Sequence, residues 1–372
     1  MNYNKQLDAF GISENIISVK PFGSGHINDT LCVTVKEQGQ KKQYVLQKMN
    51  TDIFKDPESL MNNVNKVTAY MRNVIMQHCG DPARETLRFY PTVDGKMFYT
   101  AEDGSCWRLE DLVTNSRSYD EATNAEMFAL TGKAFGGFMA DLANFPVEEL
   151  VEVIPDFHNT KARFQAFKEF VKEDRAGRVE SCKADVEFAL ARQELAESIV
   201  KQLESGELPL RVTHNDTKIN NILMDADTDE PLCIIDLDTI MPGACAYDFG
   251  DSIRFGASSA AEDEQDLDKV YLRMDLFEAY VKGYLEAVAH TVTPVEVRSL
   301  AQGALVITYE QGIRFLGDHL NGDVYFKIHR EDQNLDRART QFKLVKEMEE
   351  RMDEMQAIVD KYYKLANVSM LN

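Results

Sequence analysis

The sequence predicts an α+β chain of two lobes, a small antiparallel sheet carrying one helix and then a larger, mostly helical lobe. Three observations predict it. Residues 16–50 read as strands around a polar turn, a capped amphipathic helix follows, and from residue 120 the apolar spacing changes from two to three and four. A length of 372 residues suits two ordinary domains better than one large one. The division is expected at 1–112 and 113–372.

In order along the chain, "IISVKPF" and "SGHIND" lead into "TLCVTVK" and "YVLQKM", which flank the turn "EQGQKKQ" and give a three-stranded antiparallel start. Next, "DPESLMNNVNKVTAYMRNVIMQ" spaces Leu60, Val64, Val67, Met71 and Ile75 by three and four. Asp56 is placed as its cap and Pro57 as its first helical residue, because proline has no N–H to lose there. Two more strands, "LRFYPTV" and "KMFYTAE", join through Asp94-Gly95, a hairpin signal, and "SCWRLEDLV" reads as the way out of a five-stranded sheet. Helical periods then dominate, in "EATNAEMFALTGKAFGGFMADLANF", "FHNTKARFQAFKEFVKE", "DVEFALARQELAESIVKQLES" and "YLRMDLFEAYVKGYLEAVAH", with short strand-like runs at 208–238. The last, "FKLVKEMEERMDEMQAIVDKYY", sets Leu344, Met348, Met352, Met355, Val359 and Tyr362 on one face, a packed amphipathic helix.

The 62 acidic against 41 basic residues give a net charge of -21, which repels phosphate backbones and argues against nucleic acid as a partner. The start has no cationic stretch leading into an apolar run, and no segment approaches 18 apolar residues, so a soluble cytoplasmic protein is expected, with no membrane partner. Six cysteines lie far apart, with no C-x-x-C pair and no histidine at zinc spacing, the pattern of reduced and mostly buried thiols.

One stretch carries chemistry. In "RVTHNDTKINNILMD" (211–225), His214, Asp216 and Asn221 spell H-x-D-x-x-x-x-N, and fifteen residues after Asn221 the apolar "CIIDLD" delivers Asp236 and Asp238. Phosphoryl transfer asks for a carboxylate to orient the attacking hydroxyl, for magnesium ligands, and for positive charge near the phosphates. Asp216 suits the first task, Asn221 and Asp236, as hard oxygen ligands, the second, and Lys218 the third. The bland alternative is an Asn-rich turn with capping residues before a strand.

At this point the chain resembles the aminoglycoside phosphotransferase and choline kinase superfamily of small-molecule kinases over nearly its whole length, and within it the kinases that act on N-acetylhexosamines. The segments that carry the resemblance are "GSGHINDT" (23–30), "VLQKMN" (45–50), "THNDTKINNIL" (213–223), "IIDLDTIMPG" (234–243), "YDFGDSIR" (247–254) and "GIRFLGDHLNGDVYF" (312–326). The resemblance implies a protein-kinase-like fold with ATP and Mg2+ between the lobes, and transfer to the anomeric hydroxyl of N-acetylglucosamine or N-acetylgalactosamine. It implies Asp216 as catalytic base, Asn221 and Asp236 as metal ligands, and Asp238 as a second metal or substrate contact. It also implies nucleotide contacts from Gly23, Gly25 and Lys48, although the third glycine of a full G-x-G-x-x-G is missing. For the sugar it implies Arg314, Asp318 and Tyr325. His26, Asn28 and Asp29 are either surface residues or, with the loop over the site, further sugar contacts.

Where a protein kinase has a helix glutamate for its lysine, this chain offers Asn62 and Asn63, with Glu58 the nearest acid. Only twelve residues separate Asp236 from Asp248, too few for a long regulated loop, which favours a metabolite over a protein substrate. Asp248 reads as architectural, a carboxylate placed to hold backbone amides of the catalytic segment. The rival from another class is a nucleotide-binding scaffold without chemistry, whose usual sign is a missing base or metal ligand. Lys48, Asp216, Asn221 and Asp236 are all present.

Overall fold

The computed structural model describes residues 3–23 and 29–369. It is α+β and divides into two compact units, the first made of Met1–Arg117, Asn144–Pro155 and Leu223–Met241, the second of Ser118–Ala143, Asp156–Ile222 and Pro242–Asn372. The first unit thus takes a short helical turn and a strand-rich segment from far along the chain.

In the first unit, strands β1 (Ile16–Pro21), β2 (Asp29–Glu37), β3 (Gln40–Met49), β4 (Phe89–Tyr90), β5 (Tyr99–Thr100) and β6 (Cys106–Asp111) form one antiparallel sheet in the order β1-β2-β3-β6-β4, with β5 also on β6. The reading of "SCWRLEDLV" as a way out is corrected. It is an interior strand, with Cys106 to Glu110 all buried, and the charges that disguised it, Arg108 and Glu110, are buried polar groups. The two short strands expected to form a hairpin each pair with β6 instead of each other. Asp94 and Gly95 do make a turn, closed by Thr92 N–H on Lys96 O at 2.7 Å, with Gly95 in the left-handed region at φ 85°.

Helix α1 (Asn4–Ala9), absent from the sequence reading, seats Leu7 and Phe10 in the core made by Leu31, Val33, Tyr44, Leu46 and Trp107. Helix α2 (Pro57–Gln77) begins as expected: Asp56 Oδ1 accepts from Ser59 N–H at 3.1 Å, and Leu60, Val64, Val67, Met71 and Ile75 are buried.

The second unit is helical: α3 (Ala125–Asp141), α4 (Thr160–Glu173), α5 (Lys183–Leu190), α6 (Gln193–Glu204), α7 (Cys245–Gly256), α8 (Met274–Val288), α9 (Pro294–Asn321), α10 (Gln333–Glu350) and α11 (Met352–Ser369). Backbone approach is unusually close between α3 and α8, where a Cβ on Gly283 would meet Ala129 O at 1.9 Å and one on Gly132 would meet Tyr280 O at 2.4 Å. Helix α9 opens with a capping box, Thr293 against Glu296. The single C-terminal helix expected from the sequence is two, broken at Arg351, whose φ and ψ of -112° and 10° leave the helical region. Leu344, Met348, Met355 and Val359 are buried, Met352 and Tyr362 partly so. All six cysteines are free thiols, four of them buried. Among the described residues no helix is long and apolar enough to cross a membrane.

Candidate active site

The catalytic segment lies in the second unit, after the short strand Arg211–Thr213. Its polar residues are there because each is buried and bonded. The first turn of α7 presents Asp248, whose Oδ2 accepts from His214 N–H at 2.8 Å and whose Oδ1 accepts from Asn215 N–H at 2.7 Å. Thr217 Oγ1 donates to Asp248 O at 2.5 Å, Thr217 N–H to Asp251 Oδ2 at 3.1 Å, and Ser252 Oγ to Thr217 O at 2.7 Å. The start of α7 thereby fixes His214, Asn215 and Thr217, the residues on either side of Asp216. The expected architectural role of Asp248 is the one the geometry gives it, while burial pushes its carboxyl up and the His214 side counteracts. Asn215 sits at φ 65°, a conformation asparagine tolerates better than most residues. The His214 ring, fully buried, meets Phe135 and Phe138 of α3 edge-on at 5.6 and 6.3 Å, and its Nδ1 accepts from Asp216 N–H at 3.3 Å.

Asp216 is the accessible member of this group. Its Oδ1 pairs with Lys218 Nζ at 2.6 Å, and its Oδ2 and carbonyl accept from Asn221 Nδ2 at 3.1 and 2.8 Å. Burial works against the Lys218 ammonium, but Asp216 and then Asp251 more than offset it and raise its pKa. Because the Asn221 nitrogen faces Asp216, its amide oxygen Oδ1 points the other way and has no hydrogen bond among the described residues. That leaves a hard oxygen donor beside a carboxylate, which fits a magnesium ion. Among the described residues no three His, Cys, Asp or Glu side chains converge on a metal site.

The second acidic segment lies in the first unit. Asp236 adopts the left-handed region at φ 59° and starts the tight turn Leu237–Thr239. Asp238 is buried, ion-paired with Arg108 of β6. Arg108 also donates from Nε and Nη2 to Gln47 Oε1 at 2.9 and 2.6 Å. Glu110, on the same face of β6, is pushed up to about 7 by burial, with Arg108 opposing and Asp238 and Asp236 adding to the rise. The turn is also held from α2: Asn63 Nδ2 donates to Ile240 O at 2.9 Å and to Val151 O at 2.8 Å. So the asparagine found where a lysine partner was sought is a clamp on the acidic turn.

Lys48 lies on β3 opposite Trp107, half-buried. By strand alternation it shares a face with Leu46 and not with Gln47, so it is on the other side of β3 from Arg108. Arg108 and Asn63 were missed by sequence reading. The only signal was polarity inside otherwise apolar runs, a weak one.

The remaining expected residues divide by place. Arg314 is half-buried on α9, donates from Nη1 to Gln311 Oε1 at 3.0 Å, and lies 5.5 Å over Phe326 and 5.9 Å over Phe157 and Tyr325. Asp318, buried one turn later, accepts from the N–H groups of Val324, Tyr325 and Phe326 at 3.0, 2.8 and 2.9 Å and from Asn334 Nδ2 at 3.0 Å. It shapes the loop that presents Tyr325, which is 66% exposed. In the first unit Gly23 is exposed at φ 80°, and Asp29 is the exposed first residue of β2. Gly25, His26 and Asn28 lie outside the described residues.

Residues 118–290, which include the catalytic segment and α7, match the phosphotransferase enzyme family, APH. That segment is similar to this family over somewhat less than half of the chain. Solved structures share the fold across almost the full chain. A choline kinase from Cryptosporidium parvum matches with a TM-score of 0.58 at 14% identity, over 97% of each chain. A Plasmodium vivax ethanolamine kinase gives 0.56 at 13%, covering 90% of this chain and 85% of that one. Spectinomycin phosphotransferase, solved with ADP and spectinomycin, gives 0.51 at 10%, covering 87% and 92%. At such identities the likeness speaks for the fold.

Proposed function

We propose that the protein is an ATP- and magnesium-dependent kinase that phosphorylates the anomeric hydroxyl of an N-acetylhexosamine, N-acetylglucosamine or N-acetylgalactosamine. The observation that carries the kinase reading is Asp216, held through one oxygen by Lys218 and through the other by Asn221 in a phosphotransferase-family segment. The sugar and its position rest on the resemblance of the six segments to N-acetylhexosamine 1-kinase.

In this reading Asp216 orients the acceptor hydroxyl and takes its proton as the bond from that oxygen to the γ-phosphorus of ATP forms and the bond to the β–γ bridging oxygen breaks, releasing ADP. The fixed backbone of residues 214–217 keeps that carboxylate in place, so little reorganisation is needed during transfer. Lys218 sets positive charge beside the transferred group. Magnesium, when bound, neutralises charge on the nucleotide phosphates, and Asn221 and Asp236 would hold it. Gly23, Gly25 and Lys48 serve the nucleotide. Arg314 and Tyr325 contact the sugar, with Asp318 positioning Tyr325, and His26, Asn28 and Asp29 add contacts from the glycine loop. Arg314 and Arg163, which both meet Phe157, disfavour a cationic acceptor such as an amino alcohol.

The test is ATP consumption against a panel of free hexoses, N-acetylhexosamines, choline and an aminoglycoside, with and without magnesium. Turnover should require magnesium and an N-acetylhexosamine. Turnover with choline or the aminoglycoside alone would leave only the broader kinase claim, and none with any acceptor would remove the reading.

A further inference from the structure

Most guanidinium groups of the second unit are matched to carboxylates, as Arg178 is to Asp323, Arg192 to Glu349 and Arg211 to Glu296. Arg163 and Arg314 have no ion pair among the described residues. Both meet Phe157: Arg163 Nη2 donates to its carbonyl at 3.4 Å, and Arg314 lies 5.9 Å from its ring centre. Arg163 Nε is buried and has no acceptor. Glu310 and Asp318, one turn before and one turn after Arg314 on α9, are the buried carboxylates nearest it in sequence, but their oxygens are occupied: Glu310 Oε1 by His158 Nδ1 at 2.9 Å and Oε2 by Thr160 Oγ1 at 2.5 Å, and Asp318 by the N–H groups of Val324, Tyr325 and Phe326 and by Asn334 Nδ2. Asp156 is exposed and accepts from Asn159 Nδ2 at 2.7 Å.

We propose that Arg163 and Arg314 form an oxyanion subsite in the second unit, for a phosphate or carboxylate group on a small molecule. Two guanidiniums that keep their charge repel each other, and a buried N–H without an acceptor is costly. Burial and then the charge of Arg314 depress the Arg163 pKa, and Glu310, Tyr325 and Asp156 offset this only in part. An oxyanion between the two forks supplies acceptor lone pairs to both and cancels the repulsion, the role to which planar bidentate guanidinium is best suited. The aromatic faces of Phe157, Tyr325 and Phe326 limit the directions in which Arg314 can turn away. The inference shares Arg314 with the acceptor contact above, and to that extent rests on that reading: an oxyanion there should compete with the sugar and leave MgATP alone.

The experiment is calorimetric titration of inorganic phosphate, and separately of acetate, into the full chain saturated with MgADP, so that the nucleotide site is filled and no sugar is present. Saturable binding is expected for at least one of the two, weakened about tenfold or more by Arg163→Gln and by Arg314→Gln. Arg298→Gln, which removes an exposed guanidinium on α9, should leave it unchanged. Arg163→Lys, which keeps the charge and loses the fork, should fall between and serves if the glutamine variant does not fold. Phosphate alone binding, or acetate alone, fixes which oxyanion is taken. Absence of saturable binding, or wild-type binding in Arg163→Gln or Arg163→Lys, overturns the subsite. No turnover is needed, so loss of the kinase reading and loss of the subsite are separate results.

Discussion

Asp216 owes its orientation to two side chains that hold different oxygens, Lys218 on one and Asn221 on the other. Asp216→Asn preserves the shape and one acceptor while removing the base. Turnover should fall by roughly two to four decades with nucleotide affinity little changed, the range for loss of a general base. Single-turnover rates beside nucleotide titration check it, and an unaltered rate takes Asp216 out of the mechanism. Asp236→Asn separates two carboxylates close in sequence. It should raise the magnesium concentration needed for half-activation, since an anionic oxygen is replaced by a neutral one. If activation by magnesium is the same, Asp236 is no ligand; Asp238, already committed to Arg108, is the carboxylate to try next.

At the scale of elements, the contact of α3 with α8 is made possible by missing side chains. A methyl on Gly283 would overlap Ala129 O, whereas one on Gly137 would meet nothing within 4 Å. Gly283→Ala should cost about 1 to 3 kcal/mol or more, because backbone cannot step aside as a side chain can. Gly137→Ala, in the same helix as Ala129, should be neutral or stabilising by about 0.5 to 1 kcal/mol. Urea midpoints of the two variants decide it; equal effects would mean that the helices relax apart. Elements were legible in the sequence where an end is marked by chemistry, as Asp56 and Pro57 mark the start of α2. They were illegible where tertiary contacts overrule the local pattern. Strand β6 hides behind Arg108 and Glu110, whose partners are distant in sequence, and the break at Arg351 falls inside an apolar spacing that runs on from Met348 through Met352. The catalytic segment was legible because its spacing is chemical, but the clamps on the acidic turn, Asn63 and Arg108, were not, since an isolated polar residue in an apolar run does not say what it will touch.

Over the whole molecule, stability should depend on pH through Glu110. Its folded-state pKa of about 7 lies above the model-peptide value, so between about pH 4.5 and 7 the unfolded chain gives up a proton that the folded chain keeps. Stability from this group is therefore highest on the acid side and is lost as pH rises through that window, by about 3 kcal/mol at most. Glu110→Gln should remove this dependence, so that the wild-type-minus-variant difference in unfolding free energy declines between about pH 4.5 and 7; a difference independent of pH would refute the burial account. The carboxylate of Asp248 has a consequence of another kind. His214 and Asn215 lie outside helix and strand, where amide hydrogens ordinarily trade with solvent in moments, yet both N–H groups end on that one buried residue of α7. In deuterated water these two amides should be retained as long as those of α7 itself, because neither can open until the first turn of the helix does. Asp248→Ala should release both together, and their independent loss would mean that the segment is held by something other than the helix.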